Sequence, residues 1–134
     1  GEVELELVPQ GSFAERIRAG GAGIGGFLTP TGIGTMVSDN KEIINVDGTD
    51  FLLERPLQAD FALIKAHKAD KNGNLIYRGA SKNFNEVMAT AAKCVIAEVE
   101  EIVEIGSFEP SNVDTPGIFI DRVVQCDPIE IRWS

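Results

Sequence analysis

The amino-acid sequence predicts an α/β fold with an open, mostly parallel sheet flanked by helices. Two nearly continuous apolar runs, at residues 59–66 and 94–99, are typical of parallel strands that are covered on both faces. Segments with helical spacing alternate in part with the strand segments. The 134 residues, of which 43% are hydrophobic and 25% charged, are enough for one core, so we predict a single domain over residues 1–134.

The first predicted elements are a strand and a helix. Residues 3–8 alternate apolar and acidic side chains, which is the period-2 pattern of a half-buried strand. Ser12, with Glu15 three residues later, predicts a helix that begins with a capping box. The glycine pair Gly20 and Gly21 predicts the end of that helix.

A hairpin and a series of longer strands follow. Residues 43–46 and 51–54 flank Asp47-Gly48, a strong turn dipeptide, and form the predicted hairpin. A helix is predicted after Asn85, with Val87, Met88, Ala91 and Ala92 on one face. Further strands are predicted at residues 59–66, 75–77, 94–99 and 118–124, with a turn at 71–74.

Charge and composition exclude several classes of function. Lys and Arg number 12 against 21 Asp and Glu, and the resulting net charge of −9 repels the phosphates of a nucleic acid. The apolar runs are too short to cross a membrane and no signal peptide is visible, so we expect no membrane contact and a cytoplasmic protein. A single histidine, His67, and two distant cysteines, Cys94 and Cys126, offer no metal-ligand spacing, so we predict no metal site.

The most unusual segment is rich in glycine and lies between residues 20 and 34. Residues 21–26 match the pattern G-x-G-x-x-G, but a dinucleotide site needs a strand before the glycines and a helix after them. Here a helix is predicted before them and residues 27–31 cannot begin a helix, which argues against a nicotinamide-binding domain. Two interpretations stay open: glycine backbone that lets a ligand approach closely, or a tight connection that needs positive φ angles.

Several motifs together resemble the α subunit of the family I (3-oxoacid) CoA-transferases, and most closely the acetate or butyrate–acetoacetate type. The central motif is Thr-Pro-Thr-Gly-Ile-Gly-Thr at residues 29–35. The resemblance extends in unbroken order to about residue 124 and also covers residues 1–23, 59–66, 73–75, 83–85 and 115–118. The tail at residues 125–134 matches nothing that we associate with the family. We expect the chain to be the C-terminal portion of such a subunit, without the N-terminal βα units.

The resemblance implies transfer of CoA between an acyl-CoA and a short-chain carboxylate or 3-oxoacid, by a ping-pong route. In the family, the thioester is attacked by a glutamate in a Ser-Glu-Asn-Gly motif of the β subunit, and this sequence has no such motif. The resemblance therefore implies no catalytic residue in this chain, an inactive isolated chain, a β-subunit partner in a heterotetramer, and no cofactor, because the CoA thioester is the substrate. The alternative is a non-catalytic binding or scaffold module that keeps the fold.

The resemblance also implies which residues face the acyl-CoA. They come from the glycine-rich stretch and from the asparagines before the second predicted helix: Gly23, Gly25, Gly26, Phe27, Thr29, Thr31, Gly34, Thr35, Asn83 and Asn85.

Overall fold

The computed structural model describes residues 1–3 and 5–127. The chain divides into two compact units, Gly1–Gln58 and Ala59–Ser134. This division does not test the prediction of a single domain over residues 1–134, which stays a prediction.

The first unit contains one helix and a three-stranded antiparallel sheet. Helix α1 spans Gln10–Gly21, and the strands are β1 (Phe27–Thr29), β2 (Ile43–Val46) and β3 (Thr49–Glu54) in the order β1-β3-β2. The predicted hairpin is confirmed, because β2 and β3 pair antiparallel around Asp47 and Gly48. Both turn residues have positive φ angles, 51° and 83°. An Asp-Gly turn favours these angles.

Two predictions for this unit are wrong. The described residues of 3–8 form no strand, and Val3, Leu5 and Leu7 are exposed. Their alternation has no consequence because no strand pairs with this segment among the described residues. Helix α1 begins at Gln10 without a side-chain cap, so Ser12 lies inside the helix and is buried rather than capping it.

The second unit contains a four-stranded mixed sheet and one short helix. Strands β4 (Ala59–Asp70), β5 (Leu75–Ile76), β6 (Ala92–Val103) and β7 (Arg122–Gln125) lie in the order β5-β4-β6-β7, and helix α2 spans Asn85–Thr90. Strands β4, β6 and β7 are parallel, and β5 is antiparallel to β4. The predicted fold class, α/β with an open, mostly parallel sheet, is confirmed, with an antiparallel sheet in the first unit as an addition.

Only one face of the long strands is buried. On β4 the buried Ala62 and Ile64 alternate with Phe61 and Leu63, which are 66% and 72% exposed. The prediction of burial on both faces is therefore wrong for β4: the core of this unit packs on one face, with Met88 of α2 against it. The core consists of Ala62, Ile64, Ala66, Ala69, Leu75, Tyr77, Ala89, Val95, Ala97 and Val99.

The ends of two predicted elements also differ. The strand predicted at 118–124 begins only at Arg122, because Gly117–Phe119 form a 3-10 turn after Pro116. Helix α2 ends at Thr90, so Ala91 and Ala92 lie beyond it. Of the predicted atypical tail, residues 128–134 lie outside the described residues.

Candidate functional site

The glycine–threonine segment, residues 23–35, leads from α1 into the sheet of the first unit. Phe27 pairs with Glu54 and Thr29 with Leu52 on one side of β3, while Ile43 pairs with Leu52 on its other side. The chain between β1 and β2 therefore crosses from one edge of β3 to the other. We call residues 30–42 the crossing loop. A Cβ atom at Gly32 would lie 3.5 Å from Leu52 Cδ1, so this loop packs on the fully buried Leu52.

The threonine hydroxyls of this segment are used to different degrees. Thr35 Oγ1 donates to the carbonyl oxygen of Gly32 at 2.8 Å and accepts from Val37 N at 3.2 Å, which caps the 3-10 turn Met36–Ser38. Thr29 Oγ1 accepts from Thr31 N at 3.2 Å and keeps its proton available to donate. Thr31 is exposed, and its hydroxyl makes no hydrogen bond within the described part of the chain. Thr31 and Thr29 are thus the threonines with hydrogen-bonding capacity for a ligand.

The glycines fall into two groups by the space around them. A Cβ atom at Gly26 would lie 3.0 Å from the carbonyl oxygen of Glu54, and one at Gly32 would lie 2.7 Å from Val37 Cγ1. Gly23 and Gly34 have open space but positive φ angles of 69° and 73°. The need for a tight connection explains these four positions.

Gly25 differs from the other glycines of the segment. It is exposed, a Cβ atom there would meet nothing within 4 Å, and its φ is not positive. No local contact or backbone angle requires glycine at this position, so it is the glycine for which close approach of a ligand is the better explanation.

The two predicted asparagines belong to the second unit. Asn85 Oδ1 accepts from the backbone N–H of Lys65 at 3.0 Å, and its Nδ2 donates to the carbonyl oxygen of Ser81 at 2.6 Å. Asn85 therefore ties α2 to β4. Asn83 is exposed and has a φ of 24°, an uncommon value that asparagine tolerates better than most residues. Their predicted contact with the acyl-CoA stays a prediction.

Two other motifs of the resemblance meet inside the second unit. Gly117 N donates to Asn74 Oδ1 at 2.8 Å, and Leu75 N donates to the carbonyl oxygen of Thr115 at 2.9 Å. A Cβ atom at Gly117 would collide with the carbonyl oxygen of Asn72. Residues 73–75 and 115–118 thus form a structural clamp, for which these residue types are needed.

The same region holds the carboxylate of Asp114 in its ionised form. Burial alone would raise the pKa of Asp114, but the hydrogen bond from Tyr77 N and the ammonium of Lys82 outweigh it and lower the pKa below its ordinary value. Burial raises the pKa of Tyr77, whose hydroxyl lies 2.8 Å from Thr115 Oγ1. These contacts stabilise the loop between β6 and β7.

Sequence reasoning missed the buried ion pair of the first unit. Glu54 Oε1 lies 2.7 Å from Lys41 Nζ, and their side chains are 2% and 17% exposed. Glu54 follows the buried Leu52 by two residues and so occupies a core-facing position of β3. A carboxylate at such a position was the available signal.

Neither a metal site nor a membrane span is found in the described residues. No group of three or more His, Cys, Asp or Glu side chains there could hold a metal ion. Neither of the two α-helices described, of 12 and 6 residues, is long and apolar enough to cross a bilayer.

The profile of the family described as Coenzyme A transferase matches residues 1–126. The chain belongs to this family. A subunit of 3-oxoadipate CoA-transferase from Pseudomonas putida is 56% identical over 124 residues, which are 92% of this chain and 54% of that protein. The alpha subunit of acetate CoA-transferase from Escherichia coli K12 is 51% identical over 92% of this chain and 56% of its own length. The chain thus spans about half the length of these curated relatives.

Solved structures of the family share the fold. Glutaconate coenzyme A-transferase from Acidaminococcus fermentans superposes with a TM-score of 0.82 at 21% identity, over 90% of this chain and 45% of that one. An acyl-CoA transferase from Escherichia coli O157:H7, in its thioester complex with CoA, gives a TM-score of 0.79 at 24% identity, over 90% and 28% of the two chains. At these identities the likeness shows the fold alone.

Proposed function

We propose that this chain is part of the α subunit of a CoA-transferase that moves CoA between an acyl-CoA and a short-chain carboxylate or 3-oxoacid. The observation that carries the proposal is the family match over residues 1–126, which includes the glycine–threonine segment. The names of the most similar relatives, subunits of 3-oxoadipate and acetate CoA-transferases, support small carboxylates as acceptors.

The reaction would proceed by two exchanges at one glutamate of the partner subunit. Its carboxylate attacks the thioester carbonyl, the CoA thiolate leaves, and an acyl-glutamyl anhydride forms. The thiolate then attacks the glutamyl carbonyl, releases the first carboxylate product and leaves a glutamyl-CoA thioester. The acceptor carboxylate repeats these steps in reverse, which forms the new acyl-CoA and restores the glutamate.

This chain would supply surface for the substrate rather than the nucleophile. It has no Ser-Glu-Asn-Gly motif, and its relatives are named as single subunits of their enzymes, which supports a partner β subunit in a cytoplasmic heterotetramer. Exposed Gly25 and the hydroxyl of Thr31 are the parts of the glycine–threonine segment best suited to lie against the acyl group or CoA. No cofactor is required, because the thioester already carries the activated acyl group.

The test measures CoA transfer from acetoacetyl-CoA to acetate by the chain alone and by the chain mixed with a β subunit of the family. We expect no turnover by the chain alone and turnover by the mixture. Rapid turnover by the chain alone would contradict the assignment of the nucleophile to the partner. A mixture that assembles but does not transfer CoA would instead favour a binding or scaffold module.

A further inference from the structure

The buried ion pair Lys41–Glu54 is placed where it can fix both ends of the crossing loop. Glu54 pairs through its backbone with Phe27, at the start of the segment that leads into the loop. The side chain of Glu54 bonds Lys41, at the end of the loop, over 2.7 Å. One residue of the central strand therefore contacts the chain before and after the loop that carries Thr31 and Thr35.

The position of this pair is costly if stability alone is considered. Removing two charges from water carries a large desolvation penalty, and well-packed apolar side chains at such a site are often as stable or more stable. Glu54 continues the face of β3 that Leu52 occupies in full burial, so an apolar residue would suit the position. An ion pair provides what apolar contacts lack, a directional link between one atom of the strand and one atom of the loop.

The cavity next to this pair does not suit an anion. It has a volume of about 340 Å³, and its charged lining residues are Arg16, Lys41, Arg55, Glu6, Glu42 and Glu54. Three cations face three carboxylates, and Arg16 is already bonded to Glu6 at 2.9 Å. With no net charge to attract an anion such as a phosphate group of CoA, the cavity leaves the pair with a positioning role.

We propose that Lys41 and Glu54 are positioning residues that hold the crossing loop in the conformation that presents Thr31 to the acyl-CoA. This inference rests on the proposed function for its catalytic consequence. Its structural part concerns the loop alone, and the amides of Thr35, Val37 and Ser38 report on it because each donates a hydrogen bond inside the loop.

The test replaces the pair with apolar side chains of similar size, Lys41→Met with Glu54→Leu. The matched control replaces the exposed ion pair of α1 in the same unit, Arg18→Met with Glu15→Leu, whose side chains are 50% and 47% exposed. The conservative variant Glu54→Gln keeps an oxygen that can accept from Lys41. For each variant we would measure hydrogen exchange of the loop amides, urea unfolding, and the kcat and KM of its mixture with a β subunit.

We expect the apolar double variant to unfold at the same urea concentration as the wild type or a higher one. The three loop amides should lose about tenfold in protection, whereas those of α1 keep theirs. In the mixture, kcat should fall by about 100-fold, because small displacements of positioning groups have effects of that size. Glu54→Gln should recover part of this loss, and the control should behave as the wild type.

Two results would overturn the inference. Unchanged loop protection in the apolar double variant would show that the pair does not hold the loop. Lost protection with unchanged kcat and KM would show that the loop conformation is irrelevant to transfer, while the proposed function stands. If the wild-type mixture transfers no CoA, the proposed function fails, and the exchange data still decide whether the pair holds the loop.

Discussion

Replacing Gly25 or Gly26 with valine separates a ligand-facing glycine from a structural one. At Gly26 a Cβ atom would lie 3.0 Å from the carbonyl oxygen of Glu54 and 3.2 Å from Leu53 Cδ1. Because that carbonyl belongs to the central strand, it cannot move freely, and we expect overpacking to cost about 1–3 kcal/mol. For a chain of this size the melting temperature would fall by roughly 4–12 °C.

Gly25→Val should show the opposite pattern. Nothing lies within 4 Å of a Cβ atom there, so we expect the free energy of unfolding to change by no more than about 0.5 kcal/mol. The branched side chain would nevertheless fill the space that a close-lying acyl-CoA needs. We expect kcat/KM of the mixture with a β subunit to fall by about tenfold or more, which corresponds to about 1.4 kcal/mol of lost transition-state binding.

Thermal unfolding and steady-state CoA transfer are measured for both variants and for Gly11→Val. Gly11 lies on the exposed first turn of α1, where a Cβ atom also meets nothing within 4 Å. This control should keep its activity. Losses of stability and activity in equal proportion for Gly25→Val would refute the reasoning and favour a tight connection at this position too. Full activity of Gly25→Val would show that no ligand approaches it.

Three further predictions concern the second unit. Because the pKa of Asp114 is below its ordinary value of 3.8, its contribution to stability is present above that pH and is lost as the pH falls through the lowered value. Asp114→Asn should therefore cost about 1 kcal/mol in urea unfolding at pH 7, and the difference from wild type should shrink in strong acid. Phe61 and Leu63 are exposed side by side on one sheet face, so the isolated chain should self-associate in sedimentation measurements, and Phe61→Ser with Leu63→Ser should reduce this. A wild-type monomer at every concentration would contradict it. Gly117→Ala should lower the free energy of unfolding by about 1–3 kcal/mol, because its Cβ atom would collide with a backbone carbonyl oxygen, whereas an unchanged urea midpoint would refute the clamp.

Local signals predicted those elements whose causes are local. The turn dipeptide Asp47-Gly48 specifies positive φ angles, so the hairpin was predictable to within two residues. The helix before Gly20 was predictable for the same reason, although its start was not. Ser12 matches a capping box, but the chain begins its helical turn two residues earlier and buries the serine.

Predictions that depend on distant partners failed or were incomplete. Alternation at residues 3–8 shows which side chains share a face but not whether another strand is there to pair with it. The apolar run at 59–66 likewise predicts a strand correctly, but burial of its second face depends on what covers it. In this chain α2 packs on one face of β4 and β6, and Phe61 stays exposed.

The candidate site shows the same limit most clearly at Glu54. Strand periodicity places this residue toward the core, where a glutamate breaks the local rule, and the sequence alone does not name its partner. Lys41 becomes that partner only because the crossing loop passes from one edge of β3 to the other, a path set by the two strand registers. Natural sequences tend to break local rules where function requires it. A buried carboxylate on a core-facing strand position, beside the loop that carries the family motif, is therefore a stronger pointer to the working part of this unit than the number of its glycines.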